Sequence, residues 1–112
     1  MKKYKWDDVG ESQMPSMEGI VLRRFVEGER ITIGRVAFTA GAITEPHRHE
    51  NEQFSLVVSG RLEFTVEGEI IVVGPGDVLH LQSNEFHGAR ALEPTVVIDV
   101  FSPPRADWAQ PE

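Results

Sequence analysis

There is no cysteine among the 112 residues, which removes disulfides, thiolate metal ligands and cysteine nucleophiles together. There is no cluster of Lys and Arg either. Eleven basic residues are scattered among eighteen acidic ones, the formal charge is -7, and a nucleic-acid partner is not expected. No apolar stretch approaches the length needed to cross a bilayer, so a membrane partner is not expected. The N-terminus, MKKYKWDDVG, follows its early lysines with Trp6, Asp7 and Asp8 instead of an apolar segment, which argues against a signal peptide. Helical periodicity, internal repeats and low-complexity segments are also missing. What remains is the expectation of a cytoplasmic protein with one domain, large enough for a single core without metal or disulfide staples.

From Gly19 onward the chain consists of short apolar or alternating runs separated by turn residues. Strands are predicted over residues 20–26, 30–39, 54–58, 61–66, 69–73, 78–82, 87–91 and 95–101. Glu27-Gly28-Glu29, Ser59-Gly60, Glu67-Gly68 and Gly74-Pro75-Gly76 stand between them. Pro103-Pro104 ends the last strand, because proline has no amide hydrogen for the ladder. This spacing predicts an all-β sandwich or barrel of the size of a small jelly roll. Residues 1–18 read as a polar, irregular arm that docks on the barrel or on a neighbouring subunit, residues 19–104 as the barrel, and 105–112 as a C-terminal tail. The last strand, TVVIDVF, is apolar on both faces. One face is expected to line the barrel and the other to meet a second sheet or subunit.

The stretch GAITEPHRHENEQFSLVVSG, residues 41–60, carries His47 and His49 one residue apart. In a strand, side chains at i and i+2 share a face, so two imidazoles point at one spot, as a metal ion requires. Of the carboxylates nearby, Glu50 and Glu52 read as solvated turn residues and Asp77 as a turn-capping side chain. His80, in VLHLQ, reads as a rim or solvent-facing histidine.

Written as spacing, the stretch is Gly41, five residues, His47, one residue, His49, three residues, Gln53, six residues, Gly60. This resembles the first cupin motif, with glutamine where most cupins have glutamate. Gly74-Pro75-Gly76-Asp77 through His87 resembles the second, whose histidine lies eleven residues after the glycine of its Gly-Asp pair; Gln82 and Asn84 depart from the usual proline and glycine. The resemblance implies a cupin (RmlC-like) jelly-roll β-barrel with a metal set of His47, His49, Gln53 and His87. Three imidazoles and an amide oxygen suit one divalent transition ion such as Ni, Zn, Mn, Fe or Cu(II). Four uncharged ligands would leave the ion its full charge, attracting an anionic or oxygen-rich ligand to its open positions.

Asp99 stands inside an apolar strand, where an unpaired carboxylate costs several kcal/mol. Two readings are open. Arg105 could reach back across the Ser102-Pro103-Pro104 turn to form a structural ion pair, or both residues could belong to a reactive site. The string DVFSPPRADW resembles the C-terminal signature of the KdgF-type cupins, which open and ketonise 4,5-unsaturated monouronates released from pectin and alginate. That resemblance implies Asp99, Phe101 and Arg105 as catalytic residues, a small anionic sugar-acid substrate, and a homodimer. In the expected division of roles, Asp99 moves protons, Arg105 holds the carboxylate with Arg35, Arg61 and Arg90 in reserve, and Phe101 forms an apolar wall. The alternatives are an oxygen-using metal dioxygenase, which would need a redox-active ion, and a non-catalytic sugar-acid binding cupin, in which Asp99 would be dispensable.

Overall fold

Alternating side chains and turn residues give nine strands across residues 1–108, the part of the chain described by the computed structural model: β1 (Ser12–Met14), β2 (Val21–Glu27), β3 (Thr32–Phe38), β4 (Glu52–Ser59), β5 (Leu62–Val66), β6 (Glu69–Val73), β7 (Val78–Leu81), β8 (His87–Ala91) and β9 (Thr95–Ser102). The end of the expected tail, residues 109–112, lies outside the described residues. Six strands form one antiparallel sheet in the order β1-β2-β3-β9-β4-β7, and three form a second in the order β6-β5-β8. The expected all-β jelly roll is therefore present.

Burial alternates along β3, β4 and β9, because successive side chains leave opposite faces of a strand. The inward faces close over a core that includes Val21, Val36, Phe38, Val57, Leu62, Phe64, Leu81 and Val97. Register then fixes what meets what inside. One row runs Thr32, Phe101, Gln53, Leu81, and the next runs Gly34, Asp99, Ser55, Leu79. Gly34 is a packing glycine, since a Cβ built there would sit 2.5 Å from Cζ3 of Trp108.

The structure departs from the sequence expectation in three places. The barrel is not closed: β6 and β7 belong to different sheets, because the Gly74-Pro75-Gly76 connector carries the chain from one to the other, and no ladder joins them among the described residues. A single bridge from Val57 to Pro75 pins that connector. The N-terminal segment is not wholly irregular, for Ser12–Met14 adds an edge strand to β2. Arg24 Nη1 donates to the carbonyls of Trp6 and Val9 and ties the preceding residues to the same sheet. The second expected strand starts later than residue 30, at Thr32, after a turn in which the Gly28 amide donates to the Ile31 carbonyl.

Candidate metal centre and active site

Reciprocal backbone hydrogen bonds of 2.9 Å join His47 and His87, so the segment before β4 and the start of β8 present their side chains together. His49 follows two residues after His47 and is anchored by its carbonyl, which accepts the Asn84 amide at 2.8 Å. One ring nitrogen from each of His47, His49 and His87 lies within 4.8 Å of the others. The remaining nitrogens settle the tautomers. Nδ1 of His47, His49 and His87 faces the carbonyl of Glu45, Asn51 and Glu85 at 3.0, 3.0 and 2.8 Å. A carbonyl can only accept, so each Nδ1 carries a proton, and in the neutral form of such a ring the lone pair is on Nε2.

Burial, reinforced by Arg105 and the other two histidines, lowers the His49 pKa to about 4. His87 is lowered too, chiefly by burial. Neutral imidazoles are the form that ligates metal. Gln53 adds the strongest sign of a cation. Its Nε2 donates to Ser55 Oγ at 2.8 Å and to Asp99 Oδ1 at 3.3 Å, which fixes its Oε1 3.2 Å from His49 Nε2. Both of those atoms are acceptors when His49 is neutral, and two facing lone pairs repel unless a positive centre lies between them. The donor set thus fits a divalent ion held by three imidazoles and one amide oxygen.

Asp99 lies directly behind this cluster. Its Oδ1 accepts from Ser55 Oγ at 2.6 Å and from Gln53, while Oδ2 has no hydrogen-bond partner among the described residues. Burial raises its pKa to about 6, against the opposing pull of the Ser55 and Gln53 hydrogen bonds and of Arg105. Of the two readings of Asp99 and Arg105, the structural ion pair does not form among the described residues. Arg105 instead grips Asp107, with Nε to Oδ1 at 2.8 Å and Nη2 to Oδ2 at 2.6 Å. Its backbone amide donates to Thr32 Oγ1 at 3.0 Å, and its guanidinium lies over the rings of Phe101 at 4.7 Å and Trp108 at 4.9 Å. Asn51 Nδ2 donates to the carbonyls of Pro103 and Pro104, pinning the turn that delivers Arg105.

A cavity of about 60 Å³ between the sheets, lined by Gln53, His87, Asp99, Phe101 and Arg105, adjoins a mouth of about 530 Å³ lined by His47, His49, Arg23, Arg105 and Trp108, and His47, Arg105 and Trp108 line both. The inner space takes only a few waters, whereas the mouth falls in the range of small-molecule sites.

The other sequence candidates lie elsewhere. His80 stacks on Phe54 with centroids 4.4 Å apart and pairs with Glu52 at 2.6 Å. Asp77 accepts the Gly74 amide at 2.9 Å, as a turn cap does. Arg90 pairs with Glu63 at 3.4 Å. Neither Arg35, Arg61 nor Arg90 lines the cavity or its mouth. Four contributors were given no role in the sequence reading: Ser55 and Arg23, which it did not single out, and Asp107 and Trp108, which close the string DVFSPPRADW. Ser55 had a signal, for it stands two residues after Gln53 on an alternating strand and so shares its face. The place of Trp108 over Gly34 was not legible, because it depends on the turn before it.

Comparison with known proteins agrees with this architecture. Residues 34–101 match the model of the cupin domain family. The chain is 34% identical over 105 residues to the pectin degradation protein KdgF of Dickeya dadantii, covering 92% of this chain and 89% of that protein. Among solved structures, KdgF from Halomonas sp. superposes with a TM-score of 0.77 at 36% identity, covering 88% of this chain and 91% of that one. An RmlC-like cupin from Shewanella frigidimarina gives a TM-score of 0.84 at 26% identity, with 95% and 94% covered. No described helix is long and apolar enough to cross a membrane. With two antiparallel sheets, a histidine triad at the mouth between them and a family match over more than half its length, the chain belongs to the cupin domain family.

Proposed function

We propose that this protein is a metal-dependent enzyme that opens and ketonises 4,5-unsaturated monouronates, giving linear 4-deoxy-5-keto uronates. The reading rests on one observation above the rest: a single amide, Gln53, bridges the histidine cluster and a buried carboxylate of raised pKa. The similarity to proteins named KdgF, one of them a pectin degradation protein, supplies the substrate class. The reaction is an isomerisation, so atoms balance without a co-reactant. The hydroxyl at C1 loses its proton as C1–O5 breaks, O5 becomes the enol oxygen, and a proton is delivered to C4 as the ketone forms. A divalent ion held by His47, His49, His87 and Gln53 would polarise the substrate oxygens.

Asp99 has the properties for both transfers. A pKa of about 6 keeps it mostly ionised near neutrality yet lets it hold a proton between the two steps. Ser55 and Gln53 fix Oδ1 and leave Oδ2 to face the substrate. Phe101, with Trp108 edge-on at 4.8 Å, forms a dry wall for the sugar ring. The test is to add purified, metal-loaded protein to freshly lyase-generated unsaturated monouronate and follow the ultraviolet absorbance of the conjugated alkene. Loss well above the spontaneous rate is expected, and a rate equal to it would end this reading.

A homodimer and a cytoplasmic setting belong to the same proposal. The outer face of the larger sheet presents Ile33, Phe54, Leu56 and Val78, all exposed, and these are cross-strand neighbours through Val100 and Ile98. A contiguous apolar face of this kind suits a second copy of the same sheet. Light scattering should give twice the chain mass at micromolar concentration, and a monomer there would refute the dimer.

A further inference from the structure

Resting on the reading of a sugar-acid substrate, we propose that Arg23 is the residue that recognises the substrate carboxylate, and that Arg105 shapes the pocket around it. The sequence points to Arg105 for that task, but its fork is taken. A carboxylate binds a guanidinium in bidentate fashion along one edge, either Nε with a terminal nitrogen or the two terminal nitrogens together, and Asp107 already takes Nε and Nη2 of Arg105, which leaves that fork no edge with both nitrogens unpartnered. Arg105 is also buried, at 5% exposure, and wedged between two aromatic rings.

Arg23 leaves the inward face of β2 beside the edge strand, opposite Ser12. Its Nε donates to Ser12 Oγ at 3.3 Å, and its two terminal nitrogens have no partner among the described residues. The guanidinium lies 5.0 Å over Trp108 and 5.8 Å over Phe25, so it is rigidly placed and half desolvated, as an anion-recognising arginine should be. It lines the same mouth as His47 and His49. Two guanidiniums thus share the Trp108 indole, with the Asp107 carboxylate already committed to one of them. Glu45 lines the mouth but makes no ion pair there among the described residues. Arg48, over the ring of Phe86, lines the mouth as well, so three guanidiniums stand against the carboxylates of Glu45 and Asp107, a local positive excess in a protein of net charge -7. A carboxylate docked on Arg23 would direct the hydroxyl-bearing end of the sugar toward the histidines and Asp99.

The test measures equilibrium binding of two saturated sugars, D-galacturonate and D-galactose, to the metal-loaded protein, so that affinity is read apart from turnover. The wild type is expected to prefer galacturonate by roughly tenfold or more, the worth of one charge-assisted fork. Arg23→Met, which keeps a stem over Trp108, should lose that preference. Arg23→Lys, which keeps the charge but loses the fork, should fall between, and it carries the test if the methionine variant does not fold. On unsaturated monouronate, Arg23→Met should raise KM by a similar factor with kcat little changed, because the contact is remote from the reacting atoms. A wild-type preference for galacturonate that survives undiminished in either variant overturns the assignment, and so does a wild type with no preference. Absence of turnover in a wild type that shows the Arg23-dependent preference would count against the ketonising activity and leave the carboxylate site standing.

Discussion

Replacing Asp99 by asparagine keeps the size of the side chain and removes its charge. An asparagine Oδ1 can still accept from Ser55 and Gln53, so the row Gly34, Asp99, Ser55 should hold its shape. The wild-type carboxyl has its pKa raised from 3.8 to about 6, so the folded state holds the proton more tightly than the unfolded chain does. The sign follows. As pH rises from 3.8 to 6, the unfolded chain ionises first and is favoured, so stability contributed by the protonated carboxyl is present at pH 3.8 and gone above pH 6. That interval corresponds to about 3 kcal/mol, or roughly 10 °C in melting temperature for a domain of this size. The depressed pKa of His49 acts in the opposite direction, since the unfolded histidine takes up a proton as pH falls toward 4. It is common to both proteins and cancels in the difference. Melting temperatures of metal-stripped wild type and Asp99→Asn between pH 4 and 7.5 should therefore diverge as pH rises, the variant becoming the more stable at neutrality. Metal-loaded Asp99→Asn should lose turnover by roughly 100-fold to 10,000-fold, as removal of a general acid-base does. Parallel melting curves, or normal turnover in the folded variant, would refute the reasoning.

His49→Ala should lose stoichiometric metal by elemental analysis while keeping its β-sheet circular dichroism, because the two sheets bury their own core without an ion; unchanged metal content would remove His49 from the ligand set. Gly34→Ala puts a methyl group where Trp108 lies, so the indole must shift away from Phe101 and Arg105. A loss of about 1–3 kcal/mol in denaturant unfolding is expected, with weaker galacturonate binding, and a variant equal to wild type in both would show that Trp108 does not organise the mouth.

Much of this site is short-range and could be read from spacing. The His47–His49 pair, Gln53 four residues later and Asp99 within TVVIDVF announce themselves by period-2 geometry or by chemical incongruity. Strand positions followed from turn residues, with errors of a residue or two at the ends. What escaped the sequence depends on register and on side chains crossing between elements. That Ser55 faces Asp99 is a property of how β4 pairs with β9. That Arg105 turns to Asp107 and away from Asp99 is decided in the turn after β9, where Thr32 and Asn51 hold the backbone. Nothing in the sequence singles out Arg23, whose surroundings come from β1 and Trp108. The open seam between β6 and β7 was hidden as well, since closure depends on which sheet each strand joins.

The central claim is that Asp99 delivers a proton to C4 of a substrate held against one wall of the mouth. Running the reaction in deuterated water, and examining the product at early times by proton NMR, tests it directly. Delivery by a fixed carboxyl should place one deuterium at C4 in a single configuration, whereas spontaneous ketonisation has no such preference. A product labelled equally in both configurations, formed faster than the spontaneous reaction, would contradict delivery by Asp99.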